Sequence, residues 1–170
     1  MLASACLAAL AACAHVEPPP GGPEDRDPPG ILTTRPENEA VVPGYDGPVI
    51  FVFDERISER GVQEAVSVSP RTSPVVIRGG RDEVRVELRN GWEPGHIYHV
   101  SLGTEIRDLF GNPLEGVQKL VFSTGPAIPD TRASGTVFDR IDGRERPGMR
   151  VEAIRLADSL VYAVTSDSAG

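Results

Sequence analysis

The sequence predicts an all-β protein built around an antiparallel β-sandwich, and three observations carry that prediction. Apolar residues recur at every second position over several short segments. The clearest is Glu83 to Arg89, where Val84, Val86 and Leu88 alternate with charged residues. Those segments are punctuated by turn residues: 18 Gly and 16 Pro among 170 residues suit short strands better than long helices. The third observation is the stretch from Glu93 to Gly125, which reads as two neighbouring strands joined by a long loop. Pro94-Gly95 breaks the chain, Tyr98, Val100 and Leu102 then set one apolar face, and Leu120 and Phe122 return to it with the same period. Between them Gly111-Asn112-Pro113 is turn chemistry, because Gly and Asn accept positive φ and Pro fixes the exit.

Taken in order, Met1 to Ala12 carries no charge and is almost wholly small or apolar. It is too short to span a bilayer as a helix, which takes ~20 residues, and fits the apolar region of a signal peptide. Its end, Leu10-Ala11-Ala12-Cys13, resembles the lipobox of bacterial lipoproteins. The resemblance implies cleavage before Cys13 and acylation of its thiol and new amino terminus; Cys6 is the poorer candidate, and an ordinary cleaved signal or a buried N-terminal segment is the plainer alternative. With Cys6 removed and Cys13 lipidated, no disulfide is expected, so packing alone would stabilise the mature protein. The only membrane partner expected is the one reached through that lipid. Ala14 after the Cys is similar to the outer-membrane sorting choice of such lipoproteins, implying a bacterial cell envelope location.

Residues 13–30 read as the lipidated Cys and a tether. Pro18-Pro19-Pro20-Gly21-Gly22-Pro23 and Pro28-Pro29-Gly30 favour an extended, polyproline-like stalk reaching on the order of 50 Å. Strands follow within 31–125. Ile31 to Arg35 reads as an edge strand before Pro36, and Val49 to Phe53 as a buried one, being continuously apolar and rich in β-branched and aromatic residues. Ala65 to Ser69 alternates, Val75-Val76-Ile77 follows Pro74, and Glu59 to Ala65 is the one place for a helical turn. With Glu83–Arg89 and the two strands of the long stretch, this makes about seven strands, the count and size of an immunoglobulin-like sandwich.

Five short motifs then make a resemblance specific. They are Arg35-Pro36-Glu37-Asn38, Ile50 to Ile57, Pro94 to Val100, Asp108 to Leu114 and Phe122-Ser123-Thr124-Gly125. In order and spacing they resemble the bacterial Ig-like domain first described in S-layer proteins. The resemblance implies a spacer, adhesive unit or enzyme appendage, with no catalytic residues to carry over. Tyr98 is similar to the tyrosine corner of such folds, whose hydroxyl bonds the backbone a few residues upstream. Trp92 reads as a plug at the end of the core, with an exposed sugar-stacking platform as the alternative. Residues 126–130 read as a short linker. Over 131–170, Ala133–Asp139, Arg146–Ala153 and Val161–Gly170 suggest about three further strands, too few to close a good core. Together they resemble the opening of a carboxypeptidase regulatory-like (transthyretin-like) domain, whose Thr-x-Asp-x-x-Gly motif is matched by Thr165 to Gly170 and is normally followed by another strand; a truncated or partly ordered second β-sandwich is expected over 131–170.

Chemistry is sparse. The chain has 25 acidic and 17 basic residues, a formal net charge of −8, and no Lys or Arg run, so it lacks a nucleic-acid footprint. His96 and His99 lie on opposite faces of one strand and cannot share an ion; both read as solvent-facing, with His15 in the tether. Asp54-Glu55 and Asp108-Asn112 offer oxygens suited to Ca²⁺, although turn Asp and Asn usually bond their own backbone. No His stands ready to activate the Ser166-Asp167-Ser168 hydroxyls, and Gly79-Gly80 opens no phosphate-binding helix. The expectation is therefore a non-catalytic, lipid-anchored envelope module without cofactor, metal or catalytic residues. A protein or glycan partner stays unspecified. The alternatives are the accessory front of a larger envelope enzyme and a carbohydrate-binding lipoprotein.

Overall fold

The structure, a computed structural model, describes residues 22–130 and 133–170. The chain passes through β1 (Ile31–Arg35), β2 (Ala40–Val41), β3 (Val49–Phe53), α1 (Val62–Ala65) and β4 (Val66–Ser69). It continues through β5 (Val75–Gly80), β6 (Glu83–Leu88), β7 (Ile97–Leu102) and β8 (Gln118–Ser123). One sheet has the order β1-β3-β6-β5 and the other β2-β8-β7-β4. They pack face to face as the sandwich expected from the alternation.

Register explains the core. Phe51 stands opposite Val84 and Val49 opposite Val86 in one sheet; Tyr98 faces Phe122 and Val100 faces Leu120 in the other. Because side chains alternate across a strand, all eight point inward, and each is at most 1 % exposed. Each large side chain buried this way contributes about 1.5–3 kcal/mol.

Three local features differ from the sequence reading. β2 was not foreseen: at two residues it is too short for periodicity to reveal, and it pairs parallel with β8 rather than antiparallel. It is held by the Glu39 N–H donating to Val121 O at 2.6 Å and the Val42 N–H to Ser123 O at 2.8 Å. Ala65 closes α1, within the helical turn expected over Glu59–Ala65, instead of opening β4, and is buried there beside Val62. Gly79-Gly80 belongs to β5, where a Cβ on Gly79 would come within 2.9 Å of Val62 Cγ1. That close approach of helix and strand is the reason for the glycine.

The sandwich has two distinct poles. At the lower pole β1 begins and β3 ends, with Ile31 opposite Phe53. The loops there are tied together by the Ile57 N–H donating to Arg81 O at 2.7 Å and the Ser58 N–H to Arg107 O at 2.8 Å. At the upper pole β7 begins and β8 ends, with Ile97 opposite Ser123. Here Tyr98 Oη accepts the Glu93 N–H at 2.9 Å, the tyrosine-corner bond. Trp92 is 8 % exposed and donates its indole N–H to Gly47 O at 2.9 Å. Its ring meets Tyr98 and Phe122 edge-on at 4.9 and 5.1 Å. The plug reading holds and the sugar-stacking platform does not, since the indole's contact area is already taken by the core.

Residues 133–170 form a smaller β unit. β9 (Arg150–Arg155) and β10 (Leu160–Thr165) pair as an antiparallel hairpin, and an isolated bridge joins Phe138 to Glu145. The unit thus has two strands and a bridge where three strands were expected. β9 is exposed along its whole length, and Ile154, Leu156 and Val164 are open to solvent, so no core closes within it. The Ala163 N–H donates to Ser69 Oγ of β4 at 2.7 Å.

Truncating Phe51 or Phe122 to Ala is expected to cost ~3–5 kcal/mol, read as a drop in the midpoint of chemical denaturation. A midpoint equal to the parent's would show that the inward face is misassigned. Tyr98→Phe keeps the ring and removes the acceptor for Glu93, so the same assay should register a loss of about 1 kcal/mol.

Candidate functional site

The lower pole gathers the most chemistry. The loop after β7 reverses around Asp108, a buried carboxylate 1 % exposed. Asp108 Oδ1 accepts the Phe110 N–H at 2.8 Å and the Asn112 N–H at 2.7 Å, while Oδ2 accepts the Asn112 side-chain amide at 2.7 Å. Gly111 takes φ 96°, a conformation open to glycine at little cost, and its carbonyl accepts from Arg107 Nη1 at 2.7 Å. The Asp-Leu-Phe-Gly-Asn segment is therefore a carboxylate-centred turn. Asp and Asn bond locally here, as turn chemistry implies.

The same pole receives the N-terminal segment. Asn112 Nδ2 also donates to Asp25 O at 3.2 Å, the Gly30 N–H donates to Asp54 Oδ1 at 2.8 Å, and Pro29 is buried. Folded contacts thus begin ahead of Ile31, on residues that composition alone assigns to the tether. This docking brings carboxylate oxygens of Asp25, Glu55 and Asp108 within 4.8 Å of one another.

Electrostatics follow from that crowding. Burial would push the Asp108 carboxyl up, but the side-chain amide of Asn112 and the N–H groups of Asn112, Gly111 and Phe110 outweigh it and hold the carboxyl below its usual range. Glu55 has no such donors. Desolvation, followed by the charges of Asp108, Asp25, Asp54 and Asp27, raises it. Oxygens of this kind suit a hard cation such as Ca²⁺, but those of Asp108 are already engaged by three hydrogen bonds. Of the two pairs named from the sequence, Glu55 and Asp108 come together with Asp25, and Asp54 is used to hold Gly30.

The remaining sequence-named residues are scattered. Cys6, Cys13 and His15 lie outside the described residues. His99 is exposed on β7. His96 is not solvent-facing as expected: its side chain is 13 % exposed, stacked over Tyr98 at 5.9 Å, with Nδ1 at 2.8 Å from Pro94 O. The aromatic cluster of the upper pole covers it, a long-range effect invisible to strand periodicity. Ser166 bonds the Arg146 carbonyl at 2.7 Å and accepts the Met149 N–H at 3.0 Å, a turn-stabilising role. Two exposed residues went unremarked in the sequence. Leu109 is 60 % and Phe110 70 % exposed at the tip of the Asp108 turn. An apolar pair inside an otherwise polar turn motif was the available signal.

Two sheets of four strands, a tyrosine corner and a carboxylate-centred turn before the last strand frame the comparison with known families. The model of the bacterial Ig-like domain matches residues 25–124. The chain belongs to that family. The match begins at Asp25, where the contacts to Asn112 begin, and ends at Thr124, where β8 leaves the sandwich. Ig-like domains of this family are typically non-catalytic and often extracellular or associated with the envelope. No curated protein matches the chain at a significant level. Among the described residues no helix is long and apolar enough to cross a membrane.

Glu55 allows a test of the lower pole. Its raised folded-state value means that the ionised form opposes folding above that value, and the penalty fades as the pH falls toward the ordinary carboxylate range. Glu55→Gln should therefore raise the melting temperature at pH 7, with a gain that shrinks on acidification. The stability given by Asp108, lowered in the fold, is present at neutral pH and lost as the pH drops through its folded value. Melting curves of parent, Glu55→Gln and Asp108→Asn proteins across pH 2–8 check both signs; an unchanged or lowered melting temperature for Glu55→Gln at pH 7 would contradict the crowding argument.

Proposed function

We propose that this protein is a lipid-anchored, non-catalytic spacer or interaction module of the bacterial cell envelope, anchored at Cys13 on the outer membrane. The observation that carries the reading is the placement of the two chain ends of the sandwich. The chain enters at the lower pole through Asp25–Gly30 and leaves at the upper pole after Ser123. Such a unit sets the chain's entry and exit a strand length apart, about 20 Å for strands of six residues. A domain built to present a single pocket needs no such axial arrangement. The lipobox-like Leu10-Ala11-Ala12-Cys13 and the Pro-rich stretch after it support an anchor and stalk ahead of the lower pole.

A second reading, the accessory front of a larger envelope enzyme, is favoured by the β9–β10 hairpin. Its open apolar side chains offer surface for a further domain to cover, and its sequence resembles a carboxypeptidase regulatory-like unit.

Intact mass of the protein purified from membranes tests the anchor. The expected species begins at Cys13 and carries a diacylglyceryl thioether and an N-acyl group, and Cys13→Ser should release the protein from the membrane fraction. A chain that keeps Met1, or one cleaved elsewhere and unacylated, would overturn the lipoprotein reading.

A further inference from the structure

Leu109 and Phe110 sit side by side at the tip of the Asp108 turn, 60 % and 70 % exposed, and Val117 at the far end of the same loop is 56 % exposed. Single exposed apolar residues are ordinary. This pair is different because the turn beneath it is fixed. Asp108 Oδ1 holds the N–H groups of Phe110 and Asn112, and Arg107 Nη1 holds the Gly111 carbonyl. The two side chains are thus held outward by a built turn. Their position matters equally, since the N-terminal segment reaches the domain at this turn, with Asp25 O accepting from Asn112 Nδ2.

Resting on the lipid-anchor reading, we propose that the Leu109-Phe110 tip inserts into the lipid surface that holds the chain's own N-terminal anchor. Residues from Cys13 to Asp25 reach at most about 40 Å when fully extended, so the lower pole is confined near the bilayer. Two side chains alone give only marginal partitioning, as a single short lipid chain does. The tether makes their insertion intramolecular, at an effective concentration on the order of mM. Charge selects the headgroups. Asp108, Asp25, Asp54 and Asp27 lie close enough to Glu55 to raise its carboxyl, so this acidic crowding suits zwitterionic lipid better than an anionic surface. The domain would then stand with its lower pole seated on the membrane and its upper pole outward.

The chain supplies its own control, because its single Trp, Trp92, is locked into the core at the opposite pole. Full-length parent and Phe110→Trp proteins are placed in phosphatidylethanolamine–phosphatidylcholine vesicles, with and without bromine on the acyl chains, a contact quencher of indole. Bromine should remove part of the Phe110→Trp emission, the share added by the new indole, and leave the parent nearly unchanged. Bromine-insensitive emission from both proteins would overturn the insertion, leaving a protein partner as the occupant of the tip. Quenching of the parent to the same degree would place the upper pole at the membrane and overturn it as well. The same samples are weighed by mass spectrometry, so absence of lipid on Cys13 counts against the anchor alone. In that event Cys6→Ser leaves one thiol, which is coupled through Cys13 to a maleimide-headgroup lipid. The quenching comparison then decides insertion independently of natural acylation.

Discussion

Everything in this protein rests on two sheets meeting through side chains that alternate along their strands. Phe51, Val84, Val100 and Phe122 are inside because their neighbours Ile50, Arg85, Ser101 and Val121 are outside. A shift of one residue in any of these strands would turn its entire apolar set to water. Register is thus fixed by burial, and no disulfide among the described residues shares the task. The aromatic group of Trp92, Tyr98 and Phe122 closes one end of this core. The tyrosine-corner bond then pins the chain's entry into β7 to the strand it leads into.

The strands that alternate cleanly were legible in the sequence. Val84, Val86 and Leu88, and likewise Tyr98, Val100 and Leu102, face inward as their period requires. β2 was not legible, because two residues cannot display a period and its pairing partner, Phe122-Ser123, lies far along the chain. The docking of Asp25 to Gly30 was hidden for a related reason. Their composition favours an open stalk, and what holds them is a set of single bonds to Asp54 and Asn112 from distant loops. Local sequence reports local preference, whereas these contacts exist only once both sheets have formed. The acidic cluster shows the same limit: Glu55 and Asp108 were each recognisable as turn carboxylates, but their third neighbour, Asp25, came from a segment that reads as unstructured.

The two carboxylates of the lower pole show how environment divides identical chemistry. Asp108 is the more enclosed and yet the more easily ionised, since backbone and amide N–H groups converge on it. Glu55, at the same pole but without donors, carries the cost of being near other negative charge. One stabilises the turn that raises Leu109 and Phe110 to the surface; the other keeps the region acidic. Membership of the bacterial Ig-like family sets the architecture, and the character of this particular member lies in what its loops add at that pole.

The opposite placement of entry and exit also governs how the domain meets mechanical load. Tension applied between the two ends runs lengthwise along β1 and β8, parallel to the strands and across their ladders. The hydrogen bonds joining β1 to β3, and β8 to β7 and β2, would then be sheared together rather than peeled apart one after another. A fold of modest size without covalent crosslinks can in this way resist a sustained pull far better than its equilibrium stability suggests.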